Sequence, residues 1–184
     1  MNGDPLVLEV PDLGDDQLRL RPWRLDDAPS LVRAWHDPAV IEGSRPPADR
    51  SLAAAERWIE GCDERRRAGL AFDLVIAGSD DRVMGEVGLS KLNPRRRAAL
   101  IGWWTHAEER GRGVATTAVS LFTDWALGSG GLRALLAEIG AGHDASIRVA
   151  EAAGFRPLEN SRNPQETARG RAPRVWYVAV STVK

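Results

Sequence analysis

Gly111 and Gly113, flanked by Arg110 and Arg112 and followed by Val114, Ala115 and Thr116, form the segment with the clearest chemical meaning. Strand-like residues precede the pair and an amphipathic run follows it, so the glycines stand in a turn that opens a helix. Glycine lets the backbone come close to a ligand, and a helix N-terminus offers unpaired N–H groups with a partial positive charge. Together these make an anion site, of the kind that holds a pyrophosphate. Ala115 keeps the first helical turn open, and the two arginines add positive charge. A phosphate-binding P-loop would need Lys and then Ser or Thr after the last glycine; Val114 and Ala115 stand there instead, so ATP hydrolysis is not supported. A dinucleotide fingerprint fits only loosely. Gly111 and Gly113 have its spacing and Glu138 stands where its ribose acid would, but Thr105 to Arg110 intervene after the strand and Thr116 replaces the third glycine.

The elements that must position this turn are legible from periodicity. Gln17 to Trp23 alternates Leu18 and Leu20 against Arg19 and Arg21, as a half-buried strand does. Asp26 caps a helix carrying Ala28, Leu31 and Trp35, and Ser51 opens a second with Leu52, Ala55, Ile59 and Cys62 on one face and the exposed Glu64 to Arg67 near its end. His36 to Asp49 between them, with Pro38, Gly43, Pro46 and Pro47, reads as a loop. Three strands then follow closely, Leu70 to Ala77, Arg82 to Leu89 and Arg97 to His106, joined by the turns Gly78 to Asp81 and Asn93 to Arg96. The glycine turn leads into a helix over Gly113 to Leu127, with Val114, Ala118, Leu121, Phe122 and Trp125 on its apolar face. A buried strand at Leu132 to Ile139, a short helix at Asp144 to Ala153, a strand from Phe155 to Leu158, a polar loop over Glu159 to Pro173 and a final strand at Val175 to Val180 complete the order. The expected fold is α/β, a single mixed and mostly antiparallel sheet of about seven strands flanked by helices. Residues 1–16 read as an irregular, acidic lead-in and 17–184 as one domain.

Composition narrows the partners. A chain of 184 residues with 43% hydrophobic and 28% charged residues suits one folded domain. Its net charge of -1 and the lack of an aromatic-basic stripe argue against a nucleic-acid partner. Cys62 is the only cysteine, which excludes an intrachain disulfide or a cysteine-based zinc site, and no His, Asp or Glu cluster has metal-ligand spacing. Without a secretory signal or a run of about 18 apolar residues, no membrane partner is expected and the location is read as cytoplasmic.

Arg110-x-x-Gly113-x-Ala115 resembles the acyl-CoA pyrophosphate motif of the GNAT family of N-acetyltransferases, and the longer string from Ile101 to Thr116 resembles its RimJ/RimL-type branch. The likeness continues through Ala145 to Val149 and Gly154-Phe155, and spans about Gln17 to Val180. It implies an N-acetyltransferase that uses acetyl-CoA, without a metal, and transfers the acetyl group directly to a primary amine. The cofactor residues it implies are Trp104, Thr105, His106, Arg110, Gly111, Arg112, Gly113, Val114, Ala115, Thr116 and His143. Backbone N–H groups in a splayed strand segment, here Trp103 to His106, would polarise the thioester, with CoA lying between that strand and Leu132 to Ile139. Ser146 is the group expected beside the departing thiolate and Glu166 the general base, with Glu86, Glu138 and His36 as rivals.

Three positions depart from the branch: His143 replaces its usual Asn, Ala150 stands where many relatives carry a tyrosine acid, and Arg174 stands where Asp is common. The acceptor implied is a protein N-terminal amine, or alternatively a small amine or an antibiotic, and the resemblance also implies a homodimer. A different outcome, encouraged by His143 and Ala150, is a non-catalytic acyl-CoA sensor. Trp103 and Trp104 are adjacent on a strand and point to opposite faces, so at least one belongs to the core. His106 reads as a residue that closes the strand end.

Overall fold

Side chains alternate across a pleated strand, which decides which residues of the central strands meet which helical layer. The computed structural model describes residues 6–44, 46–158 and 174–182. Its strands are β1 (Leu13–Gly14), β2 (Leu18–Arg21), β3 (Ala71–Gly78), β4 (Val83–Asn93), β5 (Ala98–Thr105), β6 (Ala134–Gly140), β7 (Arg156–Pro157) and β8 (Arg174–Val180). The helices are α1 (Ala28–His36), α2 (Pro38–Ser44), α3 (Leu52–Glu60), α4 (Cys62–Arg67), α5 (Val114–Leu127) and α6 (Asp144–Ala152). Among the described residues one 8-stranded sheet runs in the order β1-β2-β3-β4-β5-β6-β8-β7. Among the described strands only β5 and β6 pair in parallel, joined by the α5 crossover.

Three local expectations change. The lead-in contributes β1, which pairs with β2 through Leu13↔Leu20, and Leu8 ahead of it is buried in the main core. The stretch His36 to Asp49, read as a loop for its prolines, contains α2. Pro38 occupies the helix start, where a missing N–H costs nothing, and Asp37 Oδ1 accepts from the Ala39 N–H at 2.9 Å as a cap. The second helix is also divided, at Gly61, into α3 and α4.

One face of the sheet, through Leu74, Ile76, Val87, Leu89 and Ile101, packs on Ala118, Val119 and Phe122 of α5. The other face, through Val75, Ala77 and Trp104, packs on Leu31 and Trp35 of α1 and Ala55 and Ile59 of α3. Arg21 falls on the polar phase of β2 yet is buried, because its guanidinium is paired with Asp27 at 2.7 Å and with Asp81 at 2.7 Å. A buried arginine without such partners would be strongly destabilising.

Candidate active site

The β5–β6 ladder runs from Ala98↔Ala134 to Ile101↔Ala137 and ends there. Beyond it, Gly102–Thr105 stay paired with β4 and Glu138–Gly140 with β8, so the sheet opens into a wedge. The His106 N–H donates to Met84 O at 2.9 Å, which fixes the phase of the antiparallel β4–β5 ladder. By alternation, the N–H groups of Trp103 and Thr105 point away from β4 into the wedge. An open cleft of about 1230 Å³ occupies it.

At one end of the cleft stands the glycine turn. Gly111 has φ 73° and Gly113 φ 84°, and a Cβ on either would meet nothing within 4 Å. Backbone conformation, not crowding, therefore calls for glycine at both positions, and the space above them is free. The first bond of the helix entry is Thr117 N–H to Gly113 O at 3.0 Å. Among the described residues the N–H groups of Val114, Ala115 and Thr116 thus have no backbone partners, and these residues line the cleft, the arrangement that receives an anion. Arg110 braces the turn. Its Nη2 donates to Asp37 Oδ2 at 2.6 Å and to Thr105 O at 3.1 Å. Burial raises the Asp37 carboxyl, but the Ala39 N–H and the Arg110 guanidinium outweigh it and leave the group below its usual range. Arg112 Nη1 donates to Glu109 Oε2 at 3.1 Å; Glu109, which lines the cleft, is only 1% exposed and is also paired with Arg82.

The opposite wall is built from α2, β3 and β4. Glu86 lies across from Val75 on β3 and from Trp104 on β5. Its Oε1 accepts from Trp104 Nε1 at 3.2 Å, whereas Oε2 is buried and has no hydrogen-bond partner among the described residues. Asp73 shares this face as the diagonal neighbour of Glu86, and both line the cleft. Its carboxyl lies over Gly88, where an added Cβ would come within 2.5 Å of Asp73 Oδ1. Arg65 of α4 approaches Asp73 to 3.8 Å while its Nη2 donates to Trp58 O at 3.0 Å. Burial, then repulsion from Asp73, pushes the Glu86 carboxyl well above the usual range; the Trp104 and Trp23 indoles and Arg65 pull the other way. Asp73 is raised too, by burial against the opposing pull of Arg65. Cys62 beside them donates to Trp58 O at 3.5 Å, and burial pushes its thiol up to about 12, so it is no nucleophile at neutral pH.

The residues named from sequence fall into three groups. Trp104, Thr105, Arg110, Gly111, Gly113, Val114, Ala115, Thr116, His143, Ser146, Glu86 and Glu138 all line the cleft. His106, Arg112 and His36 lie outside its lining. His106 is 3% exposed, shares a 2.8 Å hydrogen bond with Ser30 Oγ and packs edge-on to Trp104, while His36 is exposed and bonded to Val32 O at 2.9 Å. Glu166 lies outside the described residues. His143 caps α6, its Nδ1 accepting from the Ser146 N–H at 3.4 Å, which leaves Nε2 to carry the proton of the neutral ring. Arg174, at the start of β8, lines the cleft as well. Ala150 is fully buried, and Tyr177, outside the lining, donates to Glu151 Oε1 at 3.3 Å. Asp73 was missed; the signal in the sequence was an acid within an apolar strand, placed by the hairpin register opposite a glycine.

Comparison with known proteins agrees with this geometry. The model of the acetyltransferase (GNAT) domain matches residues 17–156. The uncharacterized N-acetyltransferase p20 of Bacillus licheniformis is 25% identical over 167 residues, which cover 90% of this chain and 93% of that one. The ribosomal-protein-S5-alanine acetyltransferase of Vibrio fischeri superposes with a TM-score of 0.79 at 16% identity, covering 95% of this chain and 98% of that one. RimJ of Mycobacterium smegmatis, in complex with CoA-disulfide, gives 0.75 at 21% identity, with 93% and 88% covered. Both structures share the fold. Because the matched span carries the parted strands, the glycine turn and α5 together, the chain belongs to the GNAT family of acetyltransferases, enzymes that take their acyl group from acetyl-CoA.

Proposed function

We propose that the protein transfers an acetyl group from acetyl-CoA directly to a primary amine, with Glu86 as the general base. The observation that carries this reading is the placement of Glu86: a half-buried residue whose carboxyl has one oxygen buried and without a hydrogen-bond partner among the described residues, beside the strand segment whose Trp103 and Thr105 N–H groups face the wedge. An amine must lose a proton to attack a thioester, and a base works best when its protonation range lies near the working pH. Burial and Asp73 move Glu86 in that direction. Glu138 lines the cofactor wall instead, and Glu166 remains a further candidate to be tested beside Glu86.

The free N–H groups of Val114, Ala115 and Thr116, with open space over Gly111 and Gly113, suit the pyrophosphate of CoA. The Trp103 and Thr105 N–H groups suit the thioester carbonyl, where fixed dipoles stabilise the tetrahedral oxyanion. Ser146 and the outward-facing side of His143 line the cleft across from β5, a place that fits contacts to the thiol end and pantetheine arm. The thioester bond supplies the activated acetyl group.

For the acceptor, the name of the Vibrio fischeri neighbour, an acetyltransferase of an alanine on ribosomal protein S5, supports a protein N-terminal amine. A small amine or an antibiotic is the alternative. The test is thiol release from acetyl-CoA with peptides beginning in Ala or Ser and with a panel of small amines, read beside mass spectra of the products. Acetylated product from any member supports the transferase reading and names the acceptor class. Acetyl-CoA binding, seen as a thermal shift, with no thiol release from the whole panel would favour the sensor instead.

A further inference from the structure

We propose that Asp73 is a positioning residue, acting through Glu86, that governs when Glu86 gives up its proton, and that Arg65 moderates it. This rests on Glu86 being the base. Three placements carry the inference. The β3–β4 register sets Asp73 diagonally across from Glu86 on the cleft face. Gly88, directly opposite Asp73, lacks the Cβ that would collide with Oδ1 at 2.5 Å, so the carboxyl settles over the strand that carries Glu86. Arg65 is committed elsewhere, to Trp58 O at 3.0 Å, Cys62 Sγ at 3.1 Å and the Trp58 ring at 4.6 Å, and reaches Asp73 only as a 3.8 Å ion pair. It offsets the Asp73 charge without bonding it away.

Among the described residues few other charges reach Glu86. From β3 comes Asp73, from α4 Arg65 and the un-ionised Cys62, and from β5 the neutral indole of Trp104 with neutral His106 behind it. From the β2–α1 connection comes the indole of Trp23, and α1 and α3 present Leu31, Trp35, Ala55 and Ile59 to this layer. Glu42 of α2 is exposed at the cleft mouth. Asp73 and Arg65 are therefore the ionised neighbours of opposite sign, and removing each has an opposite consequence. With Asp73→Asn the ionised form of Glu86 loses a repulsive neighbour and forms at lower pH. With Arg65→Gln it loses an attractive one and forms at higher pH.

The experiment follows the Glu86 carboxyl carbon by NMR in protein labelled with carbon-13 glutamate, its resonance assigned by loss in Glu86→Gln. It is titrated in the unsubstituted protein, D73N and R65Q, with the pH profile of acetyl transfer measured on the same samples. For charges about 7 Å apart at an effective dielectric near 20, the midpoint should fall by about one to two pH units in D73N. It should rise, by less, in R65Q, and the acid limb of kcat/KM should follow both while KM for acetyl-CoA stays unchanged. A fault in folding alone would lower activity in both variants without moving the midpoints in opposite directions. An unmoved midpoint in D73N, or the same direction in both variants, overturns the proposal. Opposite midpoint movements with a fixed kinetic limb would uphold the electrostatic coupling and overturn Glu86 as the base.

Discussion

The glycine-turn wall and the wall that carries Glu86 face each other across one cleft, yet the first is made of backbone and the second of half-buried side chains. Around Gly111 and Gly113 the working groups are N–H donors at a helix start, with Arg110 tied to Asp37 as a brace. Around Glu86 and Asp73 they are two carboxyls on neighbouring strands, both held away from their ordinary ionisation by burial. Backbone donors pointed at an anion need no titration and lose little when free of ligand. Carboxyls held in such surroundings cost stability whenever they ionise, and the same cost is what would suit one of them to the role of base proposed above. On the proposed roles binding and chemistry fall to opposite walls, and substitutions should separate them.

The largest separation is expected from Glu86→Gln. Removing the base should lower kcat by about a hundredfold to ten-thousandfold with KM for acetyl-CoA unchanged. Stability should move the other way. A carboxyl whose folded pKa is raised contributes a penalty absent below its unfolded pKa, growing as pH rises through the window and complete above the folded pKa. The variant should therefore melt higher than the parent above neutral pH, with the gain vanishing in mild acid. A large rise in KM for acetyl-CoA instead would mean that the walls are not separate in function.

The same difference explains what the sequence revealed. The glycine turn was readable because positive φ at Gly111 and Gly113 restricts the residue type, and a helix start fixes the spacing. Most of the cofactor wall lies within a short continuous segment, from Trp103 to Thr116, with the outward edge of β6 and the start of α6 adding Glu138, His143 and Ser146. The wall that carries Glu86 has no such local signature. Asp73 and Glu86 meet through strand register, and Gly88 matters for the side chain it makes room for rather than for its own dihedral. Glu86 entered the sequence reading only as one acid among several, and Asp73 did not enter it. The strand order and the main helices followed from periodicity, whereas α2 was hidden by prolines that, at Pro38, start a helix rather than break one. His106 and Arg112 were placed with the cofactor from their position in the motif; packing turned one into the core and the other toward Glu109.

His106 sharpens the comparison, since it ties β5 to α1 where the walls meet. Burial, aided by the nearby Arg33, holds its pKa down at about 4 against an ordinary 6.5. Above 6.5 the ring is neutral folded or unfolded and contributes no pH dependence. As pH falls through the window to 4, the unfolded chain binds a proton that the folded chain refuses, so stability declines, by about 3 kcal/mol at the end. Urea unfolding at neutral pH and near pH 4.5 should show this loss, and His106→Gln should lose less between the two. Equal losses in both proteins would show that the ring is already protonated in the fold.

A smaller effect is expected on the cofactor side. Gly113→Ala forces a Cβ into a left-handed conformation at φ 84°, which costs about 1–2 kcal/mol and re-aims the helix-start N–H groups. KM for acetyl-CoA should rise by about tenfold with kcat nearly unchanged, the mirror image of Glu86→Gln. A fall in kcat at constant KM would assign the turn to the chemical step.

Ser146→Ala should do least. A thiol with a pKa near 8.5 leaves as a thiolate without much help near neutral pH, unlike an amine or an alkoxide. A hydroxyl beside it contributes one hydrogen bond to a developing charge, about 1.5–3 kcal/mol at most and less where water can replace it. Ser146 is only half-buried at the first turn of α6, with its backbone N–H already given to His143, so water has access to the same place. The expected loss is about tenfold in kcat, with no movement of the acid limb that belongs to Glu86. An unchanged kcat would remove Ser146 from the site. A thousandfold loss would make protonation of the thiolate the difficult step, and the side of the cleft that binds the cofactor would then also carry chemistry.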